Sequence, residues 1–339
     1  MMRIVIDCYG GDMPPSEIVP YAYKAAEDEQ VDIVLVGDET DLNEVIREQG
    51  LVSDRVSIVH APFAITNDDD PATAVRRNPE ASMSVALQLI KSGEGDALIS
   101  AGSTGALITG ATLILRRMKG IRRAALAPIL PSANGPYILI DSGANAECLP
   151  EFLPQFAVMG SIYMKEMFGV EKPRVGLVNV GVEEKKGTEF LRESHRLLKE
   201  TPDINFIGNV EGRDVPLGEV DVAVCDGLVG NVLLKTMEGT LALILGEMKK
   251  AFKTNIISLL GAAITGPYLK KMKKTFDYKE YGGALFLGIN GLVIKVHGSS
   301  NGKPFYAAVR QAKRFLESGI NKKISAELEK TSQKCLNCE

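Results

Sequence analysis

Short aliphatic runs alternate with longer stretches of helical period along most of the chain. Ile4–Asp7, Ile33–Val36, Val56–Val59, Ala97–Ser100, Tyr137–Asp141, Val175–Val180, Ile204–Ile207 and Val220–Cys225 are rich in Val, Ile and Leu, as strands buried on both faces are. Between them, Glu17–Glu27, Leu42–Glu48, Met83–Lys91, Ala106–Met118, Pro154–Phe168 and Phe190–Glu200 space their apolar residues as helices with one buried face do. This alternation predicts an α/β fold, a mostly parallel sheet covered by helices on both faces. After Asn231 the pattern changes. A long helical stretch to about Lys250 runs into a window broken by Gly261, Gly266 and Pro267, then strand-like Ala284–Leu287 and Leu292–Val296, then a helix over Pro304–Glu317. We expect one α/β body over residues 1–317, with 238–280 as a projecting helical hairpin, and a frayed polar tail over 318–339.

Composition narrows the class. Of 339 residues 45% are hydrophobic and 24% charged, with a formal net charge of −4, which excludes disorder as the main theme. No apolar run approaches the ~18 residues of a membrane span. Strand-like sequence begins at Arg3, which leaves no room for a cleavable signal, and the five cysteines are scattered, so a cytoplasmic protein with reduced thiols is expected. The charge is uneven: Lys249, Lys250, Lys253, Lys270, Lys271, Lys273 and Lys274 share a window without one acidic residue. Phe252, Ile256, Ile257, Leu259, Leu260, Ile264, Tyr268, Leu269 and Met272 interleave with them. An apolar stripe flanked by lysines suits a shallow seat on an anionic membrane, with Ile256, Ile257, Leu260, Lys270, Lys271, Lys273 and Lys274 as contacts. A dimer-packing hairpin with solvated lysines is the alternative. Nothing calls for nucleic acid as a partner.

Ligands of parallel α/β sheets gather at the carboxyl ends of strands, and here the residues that follow the strands are Gly with small polar residues. They are Asp7–Asp12, Ser100–Ala106, Asp141–Asn145, Asn179–Gly181, Asp226–Asn231 and His297–Ser300. Gly lets backbone N–H groups approach a ligand and a following helix N-terminus adds partial positive charge, so repeated loops of this kind favour a small anion or a phosphorylated ligand. Tight turns need Gly too, and one such loop alone carries little. There is no G-x-G-x-x-G, and Gly181 to Gly187 has the wrong spacing for a Walker A loop. Gly298-Ser299-Ser300-Asn301-Gly302 matches a nucleophile elbow, but no histidine follows it to complete a hydrolase triad. His60 and His195 fit structural or solvent-facing roles, whereas His297 stands beside Gly298 and two serines. Cys335-x-x-Cys338 is a lone pair and Asp68-Asp69-Asp70 fits a solvated turn, so no metal site is expected.

These loops, in this order, with Tyr281-Gly282-Gly283, resemble the phosphate acyltransferase family, the acyl-carrier-protein:phosphate transacylases of bacterial phospholipid synthesis. The resemblance runs from about Arg3 to Glu317. It implies a three-layer α/β/α fold related to isocitrate and isopropylmalate dehydrogenases, a homodimer, and transfer of a long-chain acyl group from acyl carrier protein to inorganic phosphate without nicotinamide or metal. Cys8-Tyr9, Ser103, Val229 and Asn301 depart from the family's usual residues at their positions.

On that resemblance, phosphate capture falls to Gly10, Gly11, Asp12, Ser103, Thr104, Gly105, Asp141 and Asn145, with Lys186, which aligns with the family's Lys-Gly pair, supplying charge. Asn231 and His297 are candidates for oxyanion donation or for proton delivery to the leaving thiolate. Cys8 and Cys225 fit buried small hydrophobes rather than nucleophiles. Arg76-Arg77 and the cluster Arg116, Arg117, Lys119, Arg122 and Arg123 are candidate faces for the acidic carrier protein. The competing readings are a short-chain phosphotransacylase using acyl-coenzyme A, a metal- and NAD-dependent decarboxylating dehydrogenase, and a membrane-surface scaffold.

Overall fold

A computed structural model describes residues 2–66, 68–276, 281–298 and 301–336, for 271, 273–276 and 330–336 the backbone alone. Along the chain lie β1 (Arg3–Asp7), α1 (Pro15–Glu29), β2 (Asp32–Gly37), α2 (Glu39–Glu48), β3 (Val56–His60), α3 (Ala74–Arg77), α4 (Ser82–Ser92), β4 (Ala97–Ser100) and α5 (Thr104–Ile114). Then come β5 (Ala125–Ala127), β6 (Ile129–Ser132), β7 (Gly135–Ile140), α6 (Leu153–Phe168), β8 (Arg174–Asn179), α7 (Glu189–Glu200), β9 (Asn205–Glu211) and β10 (Val222–Val224). The remainder is α8 (Gly227–Ala251), α9 (Ile256–Phe276), β11 (Ala284–Leu287), β12 (Leu292–Lys295), α10 (Gly302–Ser318) and α11 (Ile320–Leu336).

The strands form two sheets, in the orders β3-β2-β1-β4-β12-β11-β5 and β6-β7-β10-β8-β9. Most pairings are parallel; β5, β6 and β11 supply the antiparallel ones. Aliphatic runs such as Ile4-Val5-Ile6 are fully buried because helices cover both faces of the central strands. One apolar core joins residues of both sheets, including Ile4, Ile99, Ile138 and Val175, with α1, α6 and α10. A second core lies under α4 and α5, and a third under the start of α8, where Tyr137, Leu139 and Ala223 meet Leu233, Leu234 and Met237. The result is a three-layer α/β/α arrangement.

Three expectations change. The single sheet is two, joined where the chain leaves β5 for β6; neither short strand is signalled by the pattern, because Ala125–Ala127 has weak strand preference and β6 contains Pro131. The C-terminal tail is not frayed through the described residues: α11 buries Ile320, Ile324 and Leu328, one face at helical spacing, and packs on α6. Finally, α8 is long and apolar enough to cross a membrane, with a mean hydropathy of 1.5 over its best window, contrary to the expectation that no segment is. One side of its first turns nevertheless packs on the second sheet through Leu233, Leu234 and Met237, while Leu228 and Val232 stay exposed. The exposed apolar surface continues at Leu243 and Ile244 and in α9 at Ile256, Ile257, Leu259, Leu260, Ile264 and Tyr268. Residues 277–280 of the expected hairpin and the side chains of Lys271, Lys273 and Lys274 lie outside the described residues; Lys270 is exposed.

Candidate active site

A cleft of about 480 Å³ opens where the two sheets meet, at the carboxyl ends of β1, β4 and β12. The first sheet contributes Asp12, Ala101–Thr104, Gly282–Ala284 and Lys295–Gly298, and the crossover between sheets contributes Leu126, Pro128 and Ile129. Ser142 and Gly143 come from the loop after β7, and α8 presents Asn231, Leu234, Lys235 and Glu238, spaced so that one helix face looks into the cleft.

Register explains why the floor is polar. Asp7, Ser100 and Lys295 form one cross-strand row on β1, β4 and β12. The Asp7 carboxylate is buried and accepts the Ser100 hydroxyl at 2.6 Å, and Ser100 Oγ accepts the Gly102 N–H at 3.0 Å. Burial raises the Asp7 carboxyl above its ordinary range, against the opposing Ser100 bond. On the other side, Lys295 Nζ donates to the Ala101 carbonyl at 2.8 Å and to the Val296 carbonyl. Its environment pulls the ammonium down to about 8, chiefly by burial. The loop between β4 and α5 is thus held from both flanks. Ser103 occupies the N-cap position of α5 without a side-chain cap bond, and Leu107 N makes the first bond of the helix to Ser103 O, which leaves the amides of the first turn without intrahelical partners beside the cleft-lining Ser103 and Thr104.

Of the residues singled out in the sequence, Asp12, Ser103, Thr104, Asn231 and His297 line this cleft. Gly10, Gly11, Gly105, Asp141, Asn145 and Lys186 do not. Gly10 is required by close approach: a side chain there would collide with the Asp7 carboxylate and lie 2.8 Å from Gly102 N. The N–H of Asp12 is taken by the Gly298 carbonyl at 2.9 Å, and its carboxylate would repel a phosphate, so Asp12 anchors the His297–Gly298 loop rather than holding an anion. Asp141 is fully buried and its carboxylate accepts from Leu126, Gly143, Ala144 and Asn145 N–H groups and from the Asn145 side chain. It consumes the loop amides instead of offering them, and burial raises its carboxyl above the usual range. Asn145 also donates to the Ala124 carbonyl at 2.8 Å and so ties the two sheets together. Lys186 is exposed on the β8–α7 loop, where its backbone closes a turn with Glu183 and Asn179.

Lys295 is the cleft residue that sequence reasoning passes over, since it stands at the end of an aliphatic run; the signal is that run itself, where a charge needs a reason to be. The other cleft lysine, Lys235, is paired with Glu238 at 2.8 Å. Cys8 and Cys225 are buried and burial pushes both thiols up, away from the thiolate a nucleophile needs. His195 is buried with Nδ1 2.9 Å from Asn209 Oδ1, a structural position, and His60 Nδ1 accepts the Glu39 N–H at 3.1 Å. Asp69 and Asp70 bond Thr66, Ala72 and Thr73 in a local turn. Ser299, Ser300 and Cys338 lie outside the described residues, as does the side chain of Cys335.

The α/β/α fold is similar to that of solved phosphotransacetylases. A phosphotransacetylase from Streptococcus pyogenes superposes with a TM-score of 0.62 at 16% identity over 93% of this chain and 94% of that one. The EutD phosphotransacetylase from Staphylococcus aureus gives 0.59 at 16% identity over 92% and 94%. At that identity the likeness is one of fold. In sequence, the family described as fatty acid synthesis protein matches residues 2–323. The phosphate acyltransferase of Clostridium novyi (strain NT) is 46% identical over 329 residues, 97% of this chain and 99% of that protein, and that of Thermoanaerobacter pseudethanolicus is 47% identical over 329 residues, 97% and 98%. The protein is therefore an acyltransferase. It belongs to the phosphate acyltransferase family of fatty acid and lipid synthesis, which sets the dehydrogenase and scaffold readings aside.

Proposed function

We propose that the protein transfers a long-chain acyl group from the thioester of acyl carrier protein to inorganic phosphate, giving an acyl phosphate for phospholipid synthesis and the free carrier thiol. The observation that carries this reading is a cleft lined both by groups that favour an anion, at Ser103, Thr104 and Lys295, and by an apolar wall of Leu126, Pro128, Ile129 and Leu234. Phosphate is already a nucleophile. One of its oxygens attacks the thioester carbonyl and forms the C–O bond of a tetrahedral oxyanion, whose collapse restores the carbonyl and breaks the C–S bond, and the sulfur leaves as a thiolate that takes a proton. The site therefore has to align two reactants and stabilise the tetrahedral oxyanion. Asn231 and His297 stand in the cleft as the donors for oxyanion and leaving group; loss of one good oxyanion donor lowers the rate by ~10²–10³.

The same reading places the protein in the cytoplasm, against the membrane surface, as a homodimer whose hairpins carry the exposed apolar side chains of α9. For the acidic carrier, Arg116, Arg117, Lys119, Arg122 and Arg123 supply the better face: all are exposed and none pairs with a carboxylate among the described residues. Arg76 and Arg77, exposed on the single turn of α3, are the smaller patch.

The test incubates purified protein with palmitoyl-acyl carrier protein and phosphate and traps product with hydroxylamine. Phosphate-dependent hydroxamate above the no-enzyme control is expected. Product from acyl-coenzyme A and none from the carrier-bound donor would overturn the choice of donor.

A further inference from the structure

We propose that Lys295 is the cation that holds the phosphate nucleophile, and that by the same contacts it aims the N-terminus of α5 at that anion. The inference deepens the function proposed above and rests on its phosphate half, not on which thioester is the donor.

Four observations support it. Lys295 lines the cleft on β12, the strand that pairs with β4, and sits opposite Ser100 in the register. Its ammonium is fixed by two main-chain carbonyls, Ala101 and Val296. An ammonium has three hydrogens, and among the described residues two are assigned, so one remains for a ligand. The Ala101 bond is made two residues before Ser103, the cap of α5, so the charge and the free helix amides are set by one contact. Among the remaining cleft groups, Lys235 is paired with Glu238 and Asp12 carries a carboxyl, while Lys186 does not line the cleft. A phosphate entering this cleft needs a positive partner that no carboxylate has already claimed at hydrogen-bond distance, and Lys295 has carbonyls where Lys235 has Glu238.

Phosphate binding can be measured without any acyl donor. Isothermal titration of inorganic phosphate into the full-length protein compares wild type with Lys295→Met, Lys295→Gln and Lys295→Arg, each first checked for a cooperative thermal transition. We expect about ten- to hundredfold weaker phosphate binding for the two neutral variants and partial recovery in Lys295→Arg. In steady-state assays the loss falls on the KM for phosphate, with the KM for the thioester unchanged. A folded Lys295→Met or Lys295→Gln protein that binds phosphate as wild type does would overturn the proposal, as would a wild type that binds none. Lys295-dependent phosphate binding without product from palmitoyl-acyl carrier protein would remove the donor assignment and leave this one standing.

Discussion

Lys295 and Asp141 are both ionisable groups drawn out of water, and their partners give them opposite duties. Lys295 is held by carbonyls at the edge of a cleft, with Asp7 and Asp12 favouring its charge and burial and Lys235 opposing it. Its ammonium is depressed to about 8, so the form that binds an anion is present below that pH and is lost as pH rises through it. The KM for phosphate should climb between about pH 8 and about pH 9 in wild type and stay flat in Lys295→Arg, whose guanidinium does not titrate there; pH-dependent initial rates check this. Stability moves the other way. An unfolded lysine keeps its proton to higher pH, so folding gains as pH rises across that interval. Asp141 has no ligand duty, because its carboxylate is saturated by loop amides. Asp141→Ala would orphan several buried donors and should cost roughly 3 kcal/mol or more, seen as a lower urea midpoint. Neither role is spelled out by residue type. The sequence marks Asp141 as a polar residue after a strand, which fits a ligand as well as a loop clamp, and only the positions of Leu126, Gly143, Ala144 and Asn145 around it separate the two.

Elements reach the site by seating one glycine-bearing turn against another. The Asp226 side chain caps α8 by accepting the Val229 N–H at 2.9 Å. Gly230 then lies so close to the loop after β7 that a side chain would collide with the Asp141 carbonyl oxygen. Gly230→Ala should destabilise the protein by about 1–3 kcal/mol, as overpacking does, and reduce turnover by shifting the neighbouring Asn231. Gly239, two and a half turns on, has open space around it. Gly239→Ala should instead be neutral or stabilising by about 0.5–1 kcal/mol, so paired urea titrations and rates separate packing from helix preference. The strand–helix alternation was legible because central parallel strands read as unbroken aliphatic runs. β5 and β6 escaped notice because three residues of Ala and Leu and a Pro-containing run are held as strands by their neighbours, not by their own preferences. The loops announced a site through Gly and small polar residues, but the same composition describes glycines that meet a ligand and glycines that meet another backbone. Gly10 and Gly230 belong to the second kind.

On the scale of the whole molecule, two sheets share one core and leave α9 with its apolar side chains outside it. Ile256 and Ile257 are 76% and 81% exposed, which is unusual for adjacent isoleucines and fits a surface that meets lipid. Replacing Ile256, Ile257 and Leu260 with Ser should abolish sedimentation with anionic vesicles while leaving turnover on the soluble carrier donor unchanged. Unaltered vesicle binding would redirect attention to dimer packing. The interleaving of lysines with apolar residues made this segment visible in the sequence, whereas the division into two sheets was not, since periodicity carries no record of which strands are neighbours. Strand order also has a consequence for how the protein comes into being. β12, a central strand of the first sheet, lies between β4 and β11, yet nearly three hundred residues of chain precede its end. Until the ribosome has delivered it, β4 has an unpaired aliphatic edge and β5 has no sheet to join. The nascent chain must therefore keep those edges apart, and the anion site comes into existence only with the last strand, so a product truncated before Leu292 would be an aggregation hazard rather than a weak enzyme.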